Sequence, residues 1–180
     1  MKMRLLLFDF IHDEHDSGIF REIPLSVKGK LYASPMPFGA YDPRNRLLKL
    51  YKNNKINHVY SLVTDEELRK KARRNIFKRY DQAGITCSRH VIHDFQAPSL
   101  DVLHDLVMDA CERLQQQRVV VHCHAGVGRT AVAASAIVLA VEGFTPEEAI
   151  DHIKKHMTVN ITSEQKTLVK KYADWYPNQT

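Results

Sequence analysis

The chain has 180 residues, 44% hydrophobic and 26% charged, which is enough for one soluble domain that buries a core without disulfides. Three cysteines, Cys87, Cys111 and Cys123, have no paired spacing; they argue against a disulfide framework and fit a reducing compartment, so a cytoplasmic protein is expected. A net charge of +5 suits an anionic substrate, nucleic acid or acidic lipid, without choosing among them.

The first 18 residues come first in chain order. Leu5–Phe8 is apolar, but acids follow too soon for a secretion signal. His12, Asp13, His15 and Asp16 lack the spacing of a closed metal site. The segment reads as a flexible polar N-terminal stretch ahead of one domain over residues 19–176. Short β-type runs follow at Ile19–Ile23, Lys30–Ala33, His58–Val63, Thr86–Ile92 and Val119–His122. Val119-Val120-Val121 is continuously apolar, as in a strand buried on both faces. Helices are predicted between and after them. Thr64-Asp65-Glu66-Glu67 opens one, and Ser99 caps another bearing Leu103, Leu106, Val107, Ala110 and Leu114. Thr130–Glu142 forms a third, too short to span a membrane and better read as buried, with Gly143 as its stop. Thr145-Pro146-Glu147-Glu148 and Thr162-Ser163-Glu164-Gln165 open the last two. The fold class expected is a single α/β domain: a central, mostly parallel sheet of four to five strands flanked by helices.

The chemistry concentrates between strand 119–122 and helix 130–142. The loop reads His122-Cys123-His124-Ala125-Gly126-Val127-Gly128-Arg129-Thr130. A loop that wraps a phosphate turns its N–H groups inward, which favours glycine where φ is positive. The helix that follows adds its own free N–H groups and positive dipole end. The same donors stabilise a thiolate at Cys123. Arg129, six residues on, carries a planar fork for two phosphoryl oxygens. Thr130 offers a hydroxyl to the sulfur, and His122 can support the loop through side-chain hydrogen bonds. Cleaving a phosphomonoester also needs a proton for the departing oxygen. Asp94, in Ile92-His93-Asp94-Phe95-Gln96-Ala97-Pro98-Ser99, is the best candidate acid, and afterwards base.

These motifs resemble the cysteine-based protein tyrosine phosphatase superfamily. His122 to Thr130 is similar to its His-Cys-x5-Arg-Ser/Thr loop, in the form of the dual-specificity branch. Asp94 with Ala97-Pro98-Ser99 resembles its mobile acid loop. Gly29 to Tyr172 is similar in layout to the small atypical dual-specificity phosphatases, including Ser34-Pro35-Met36-Pro37 and Glu164-Gln165-Lys166. The resemblance implies hydrolysis of phosphotyrosine, with phosphoserine and phosphothreonine, through a phosphocysteine and without metal or organic cofactor. Cys123 would be nucleophile, Asp94 acid and base, Arg129 the transition-state binder, and His124, Ala125, Gly126, Val127 and Gly128 the phosphate cradle. A phosphorylated protein is the expected partner of a monomer, and nucleic acid ranks below it. Ala131 stands where the family usually has glycine, and the deep-pocket phosphotyrosine loop is not recognisable.

Two other functions share these residues: a phosphoinositide, inositol phosphate or RNA 5′-phosphatase, and a phosphate-binding module without catalysis. His124 reads as an exposed spacer, Gln165 as the capping partner of Thr162, and Cys87 and Cys111 as core. The cations Arg69, Lys70, Lys71, Arg73, Arg74, Lys78 and Arg79 read first as the solvated face of a helix, and second as a dock for acidic substrate, lipid or RNA.

Overall fold

Alternation of apolar side chains at the middle of the sheet sets the architecture. The structure, a computed structural model, describes residues 19–176; the N-terminal stretch over 1–18 and its His12–Asp16 cluster lie outside the described residues. Five strands and seven helices occur among those described. In chain order they are β1 (Arg21–Ile23), β2 (Lys30–Ser34), α1 (Leu47–Asn53), β3 (His58–Ser61), α2 (Asp65–Lys71), α3 (Ile76–Gln82), β4 (Thr86–Arg89), α4 (Leu100–Arg113), β5 (Arg118–His122), α5 (Arg129–Glu142), α6 (Pro146–His156) and α7 (Ser163–Trp175). The sheet order is β1-β2-β5-β3-β4. β1 is antiparallel to β2, and the other pairs are parallel.

Successive side chains on a strand point to opposite faces. Val119 and Val121 enter one core with Leu103 and Leu106 of α4, Ile137 of α5, Ile153 of α6 and Val169 of α7. Val120 enters the other with Tyr32, Val59, Tyr51 of α1 and Tyr80 of α3. The valine run is therefore buried on both faces, as its composition predicts. α5 is buried along its length from Arg129 to Leu139, so the apolar stretch is a core helix. No helix among the described residues is long and apolar enough to cross a membrane.

The caps fall where the sequence puts them. Thr64, Thr145 and Thr162 form capping boxes with Glu67, Glu148 and Gln165. Ser99 accepts from the Val102 N–H, and Gly143 ends α5 at φ 69°. Three strands are shorter than the predicted runs, with β1 starting at Arg21, β3 stopping at Ser61 and β4 at Arg89, while β2 and β5 each extend one residue further, to Ser34 and from Arg118. Two features depart from the sequence reading. α1 has no counterpart in it, and the basic run is not one helix. It breaks into α2 and α3, with Ala72 extended (φ −90°, ψ 124°) and Asn75 capping the second.

This topology gathers the site. β2, β3, β4 and β5 are parallel, so the loops that leave them all emerge at one sheet edge, where open α/β sheets bind ligands. His122 pairs with both Ser34 and Ser61, so Cys123 leaves the sheet between the ends of β2 and β3.

Candidate active site

Cys123 is the first residue beyond β5 and is 2% exposed. Its sulfur accepts a hydrogen bond from the Gly126 N–H at 3.2 Å. Gly126 has φ 79°. A Cβ there would lie 2.5 Å from the Pro35 nitrogen and 2.6 Å from the Ser34 carbonyl carbon, both backbone atoms that cannot move aside. Position 126 therefore admits glycine for two reasons, handedness and space. The helix that follows starts after Gly128 without a capping side chain, so its first-turn N–H groups remain available toward the loop.

Behind the loop, His122 is fully buried. One ring nitrogen, Nδ1, lies 3.3 Å from the Cys123 carbonyl, and Nε2 lies 3.0 Å from the Tyr80 hydroxyl. A carbonyl only accepts, so Nδ1 carries the proton and Nε2 accepts from Tyr80. Burial pushes this imidazole down to about 4, Arg129 adds to the lowering, and the bond to Cys123 partly opposes it. The ring is thus a neutral strut between α3 and the loop. Thr130 is buried and its hydroxyl has no internal partner.

Arg129 opens α5 and is 2% exposed. Its Nη1 donates to Glu67 Oε2 and to the Ile92 carbonyl, each at 2.8 Å, and its Nη2 donates to Glu67 Oε1 at 2.7 Å. Three of the five guanidinium N–H groups are spent in this way. The remaining two, on Nε and Nη2, form one edge of the fork, and Asp94 Oδ1 lies 3.1 Å from Nη2. Burial alone would raise the Glu67 carboxyl. The hydrogen bonds from Arg129 and from the Thr64 N–H, with the charges of Arg129 and Lys71, outweigh it and hold the group at about 2. Burial likewise opposes the Arg129 charge, and the Glu67 hydrogen bonds lead the effects that hold it above its ordinary value.

Asp94 sits between β4 and α4 and is 43% exposed at its side chain. Lys71 Nζ lies 3.8 Å from its other oxygen. Phe95, next along, is 73% exposed at φ 60°, a strained conformation for a bulky residue. Gln165 does more than cap α7. Its Oε1 accepts from the Thr162 N–H at 3.0 Å, while its Nε2 donates to the Gln96 carbonyl at 3.0 Å and ties the acid loop to the last helix.

Asp94, Cys123, His124, Ala125, Val127, Gly128 and Arg129 share one cleft of about 190 Å³, closed at its sides by Tyr41, Phe95, Asn160 and Gln165. The other predicted site residues stand behind it: His122 and Thr130 are buried, and Gly126 backs onto Ser34 and Pro35. His124 differs from the exposed spacer expected. It is half-buried, its ring stands edge-on to Tyr41 at 5.2 Å, and its Nδ1 is buried without a partner. Burial first, then Lys71, lowers its proton affinity. Sequence reasoning missed Glu67, Tyr80, Tyr41 and Asn160, whose N–H donates to the Val127 carbonyl at 2.8 Å. Only Glu67 carried a signal, the need of a buried arginine for a carboxylate. Cys87 and Cys111 are half-buried, and burial pushes their thiols up to about 12 and about 11.

A family model described as Polymorphic toxin system, DSP-PTPase phosphatase matches residues 39–142. Cyclin-dependent kinase inhibitor 3 of Mus musculus is 28% identical over 104 residues, which are 57% of this chain and 49% of that protein. The chain therefore spans about half the length of that relative. Phosphatidylglycerophosphatase and protein-tyrosine phosphatase 1 of Mus musculus is 29% identical over 137 residues, 74% of this chain and 70% of that protein. Among solved structures, kinase associated phosphatase with its catalytic site cysteine changed to serine superposes with a TM-score of 0.77, covering 86% of this chain and 93% of that one at 20% identity, a likeness of fold.

Proposed function

This chain belongs to the DSP-PTPase family of cysteine-based phosphatases, and we propose that within it the chain hydrolyses phosphotyrosine, phosphoserine and phosphothreonine in proteins through a phosphocysteine. The observation that carries the reading is the convergence on one cleft of a buried thiol that accepts an N–H, a buried guanidinium with two donors left over, and a carboxyl group 3.1 Å from it.

The steps follow from those groups. The Cys123 thiolate attacks phosphorus in line, and the bond to the ester oxygen breaks. The N–H groups of His124 to Gly128 and the free edge of Arg129 hold the equatorial oxygens as charge spreads over them. Asp94, protonated at this stage, gives its proton to the departing oxygen. It then takes a proton from water as that water attacks phosphorus and breaks the P–S bond. The Thr130 hydroxyl, which has no hydrogen-bond partner in the resting protein, is free to turn to the sulfur as thiolate re-forms, and phosphate leaves. His122, braced by Tyr80, holds the Cys123 carbonyl, while the N–H groups of Met36 and Asn160 hold those of His124 and Val127, and none of them takes part in the reaction.

The lipid-directed reading is second. It draws on the name of the relative that is a phosphatidylglycerophosphatase and on Lys71 at the rim. Against it, the variable loop positions His124, Ala125 and Val127 carry no lysine. A panel of phosphotyrosyl, phosphoseryl and phosphothreonyl peptides, inositol phosphates and phosphatidylglycerophosphate separates the readings. Vanadate-sensitive release, fastest from phosphopeptides and absent in Cys123→Ser, is the expected result. Far higher kcat/KM on a lipid or inositol phosphate would replace the protein reading by the second.

A further inference from the structure

The basic run of residues 69–79 has no part in the steps above, although Lys71 stands 3.8 Å from Asp94. The break at Ala72 bends it, and Arg74 and Arg79 then share a groove with Lys49 and Lys52 of α1. The groove measures about 510 Å³, has Asn45 and Asn53 among its walls, and is floored by Phe38 and Leu48. Lys49, Lys52 and Arg74 are exposed, and their side chains have no ion-pair or hydrogen-bond partner among the described residues. Arg79 gives one N–H to Gln82 at 3.2 Å. No carboxylate is among the lining residues. Four cations around one concavity raise one another's energy until an anion answers them.

The lining also selects the kind of anion. The Asn53 amide and the NH2 group of Asn45, whose oxygen accepts from Arg73, can pair with the N–H and C=O groups of an extended peptide. Stacked bases would need an exposed ring, but Phe38 is 6% exposed. A bilayer would need protruding apolar side chains, and the exposed large ones, Tyr41, Val91, Phe95 and Met108, lie outside the groove.

One loop joins this groove to the cleft. Between β2 and α1 it presents Tyr41 to the cleft of Cys123, and Phe38 and Asn45 to the groove. Arg73 clamps it: the backbone N–H donates to the Phe38 carbonyl at 3.0 Å, and Nη2 reaches the carbonyls of Gly39 (3.0 Å) and Asp42 (2.6 Å) and Asn45 Oδ1 (3.0 Å).

We propose that the groove of Lys49, Lys52, Arg74 and Arg79 docks an acidic segment of the phosphoprotein substrate while the phosphorylated side chain occupies the cleft. This rests on the phosphoprotein reading above. The test compares Glu-rich phosphotyrosyl peptides, with the acidic run set at increasing distances from the phosphotyrosine, with Gln-rich counterparts. Both sets are assayed on the unaltered protein and on the Lys49→Glu/Arg74→Glu double variant. The two side chains are exposed and unpaired, so the fold should tolerate the change, and turnover of a small aryl phosphate checks this. The unaltered protein should favour the Glu-rich peptide of matching span by about tenfold in kcat/KM at low salt, the sum of several exposed ion pairs. The preference should vanish or invert in the double variant while aryl phosphate turnover stays the same. Equal efficiency on both peptide sets, or a preference that survives charge reversal, overturns the docking site and leaves the phosphatase reading intact. Hydrolysis of aryl phosphate with none of any phosphopeptide overturns the phosphoprotein reading, and the docking site falls with it. Tighter binding of phosphatidylserine vesicles or single-stranded RNA than of Glu-rich peptide, abolished in the same variant, overturns the peptide assignment.

Discussion

Changing Glu67 to Gln cuts the site's deepest ion pair without changing its shape. Glu67 is 8% exposed at its side chain and Arg129 2%, and two hydrogen bonds of 2.7 and 2.8 Å join them. A carboxyl held at about 2 in place of its ordinary 4.5 favours the folded state by about 3 kcal/mol at neutral pH. Removing one partner of a buried pair costs a similar amount, about 3–5 kcal/mol. The sign follows from the direction of the shift. The folded protein holds this carboxyl ionised more readily than the unfolded chain does, so the benefit is complete above about pH 4.5 and is lost as pH falls through about 2. Urea unfolding of the two proteins should therefore differ by about 3 kcal/mol at pH 7, and the gap should close on acidification through that window. Because Glu67 sets the fork that faces the phosphoryl group, kcat/KM on an aryl phosphate should fall about 100-fold, the scale of a misplaced reacting group. A Glu67→Gln protein within about 1 kcal/mol of the original at pH 7, or a gap indifferent to pH, would refute the reasoning.

Other changes probe the remaining parts. Cys123→Ser should abolish phosphate release in a continuous aryl phosphate assay, and retained turnover would end the phosphocysteine route. Asp94→Asn should lower kcat/KM, which reports the step that expels the leaving group, by about 100-fold or more on a phosphotyrosyl peptide, but much less on p-nitrophenyl phosphate, whose departing oxygen needs no proton; equal losses in kcat/KM would remove Asp94 as the acid. Gly126→Ala must accommodate a Cβ 2.5 Å from the Pro35 nitrogen at φ 79°, so it should lose at least about 2 kcal/mol in unfolding experiments, and an unchanged midpoint would contradict the close approach. Tyr80→Phe leaves His122 Nε2 buried without a donor and should cost about 1–3 kcal/mol. With His122 held at about 4 against an ordinary 6.5, stability should also fall as pH drops through that interval. The His122→Asn protein should lack that part of the slope, and identical slopes would show that the imidazole is not a buried neutral group.

What could be read from sequence alone follows the range of the interactions. Cys123 to Thr130 is contiguous, and its residue types already encode strand end, wrapped loop and helix start. The capping boxes are just as local. Glu67 was hidden because one role accounted for it: as the capping partner of Thr64 it needed no other explanation. Its meeting with Arg129, 62 residues away, depends on β3 lying beside β5. α1 escaped notice because it has no capping side chain of its own. It is held from outside, by Leu47 and Tyr51 in the core and by the Asp42 carboxylate, which accepts from the Arg46 N–H at 2.8 Å. The basic run is made of helix formers up to Asn75, whose capping side chain was the local sign of a second helix, and at the break after Ala72 Arg73 clamps the loop between β2 and α1.

The phosphate loop has two kinds of position, which bears on how such an enzyme can change its diet. At 126 and 128 an added side chain would meet backbone, Ser34 and Pro35 at the first and the Asn160 carbonyl, 3.1 Å from an added Cβ, at the second. At 124, 125 and 127 side chains already stand at the border of the cleft. A lineage, or a mutagenesis library, can exchange the second set to enlarge, charge or narrow the mouth while the first set keeps the N–H groups aimed. Substrate range is thus open to drift at three sites, and the reaction is guarded at two.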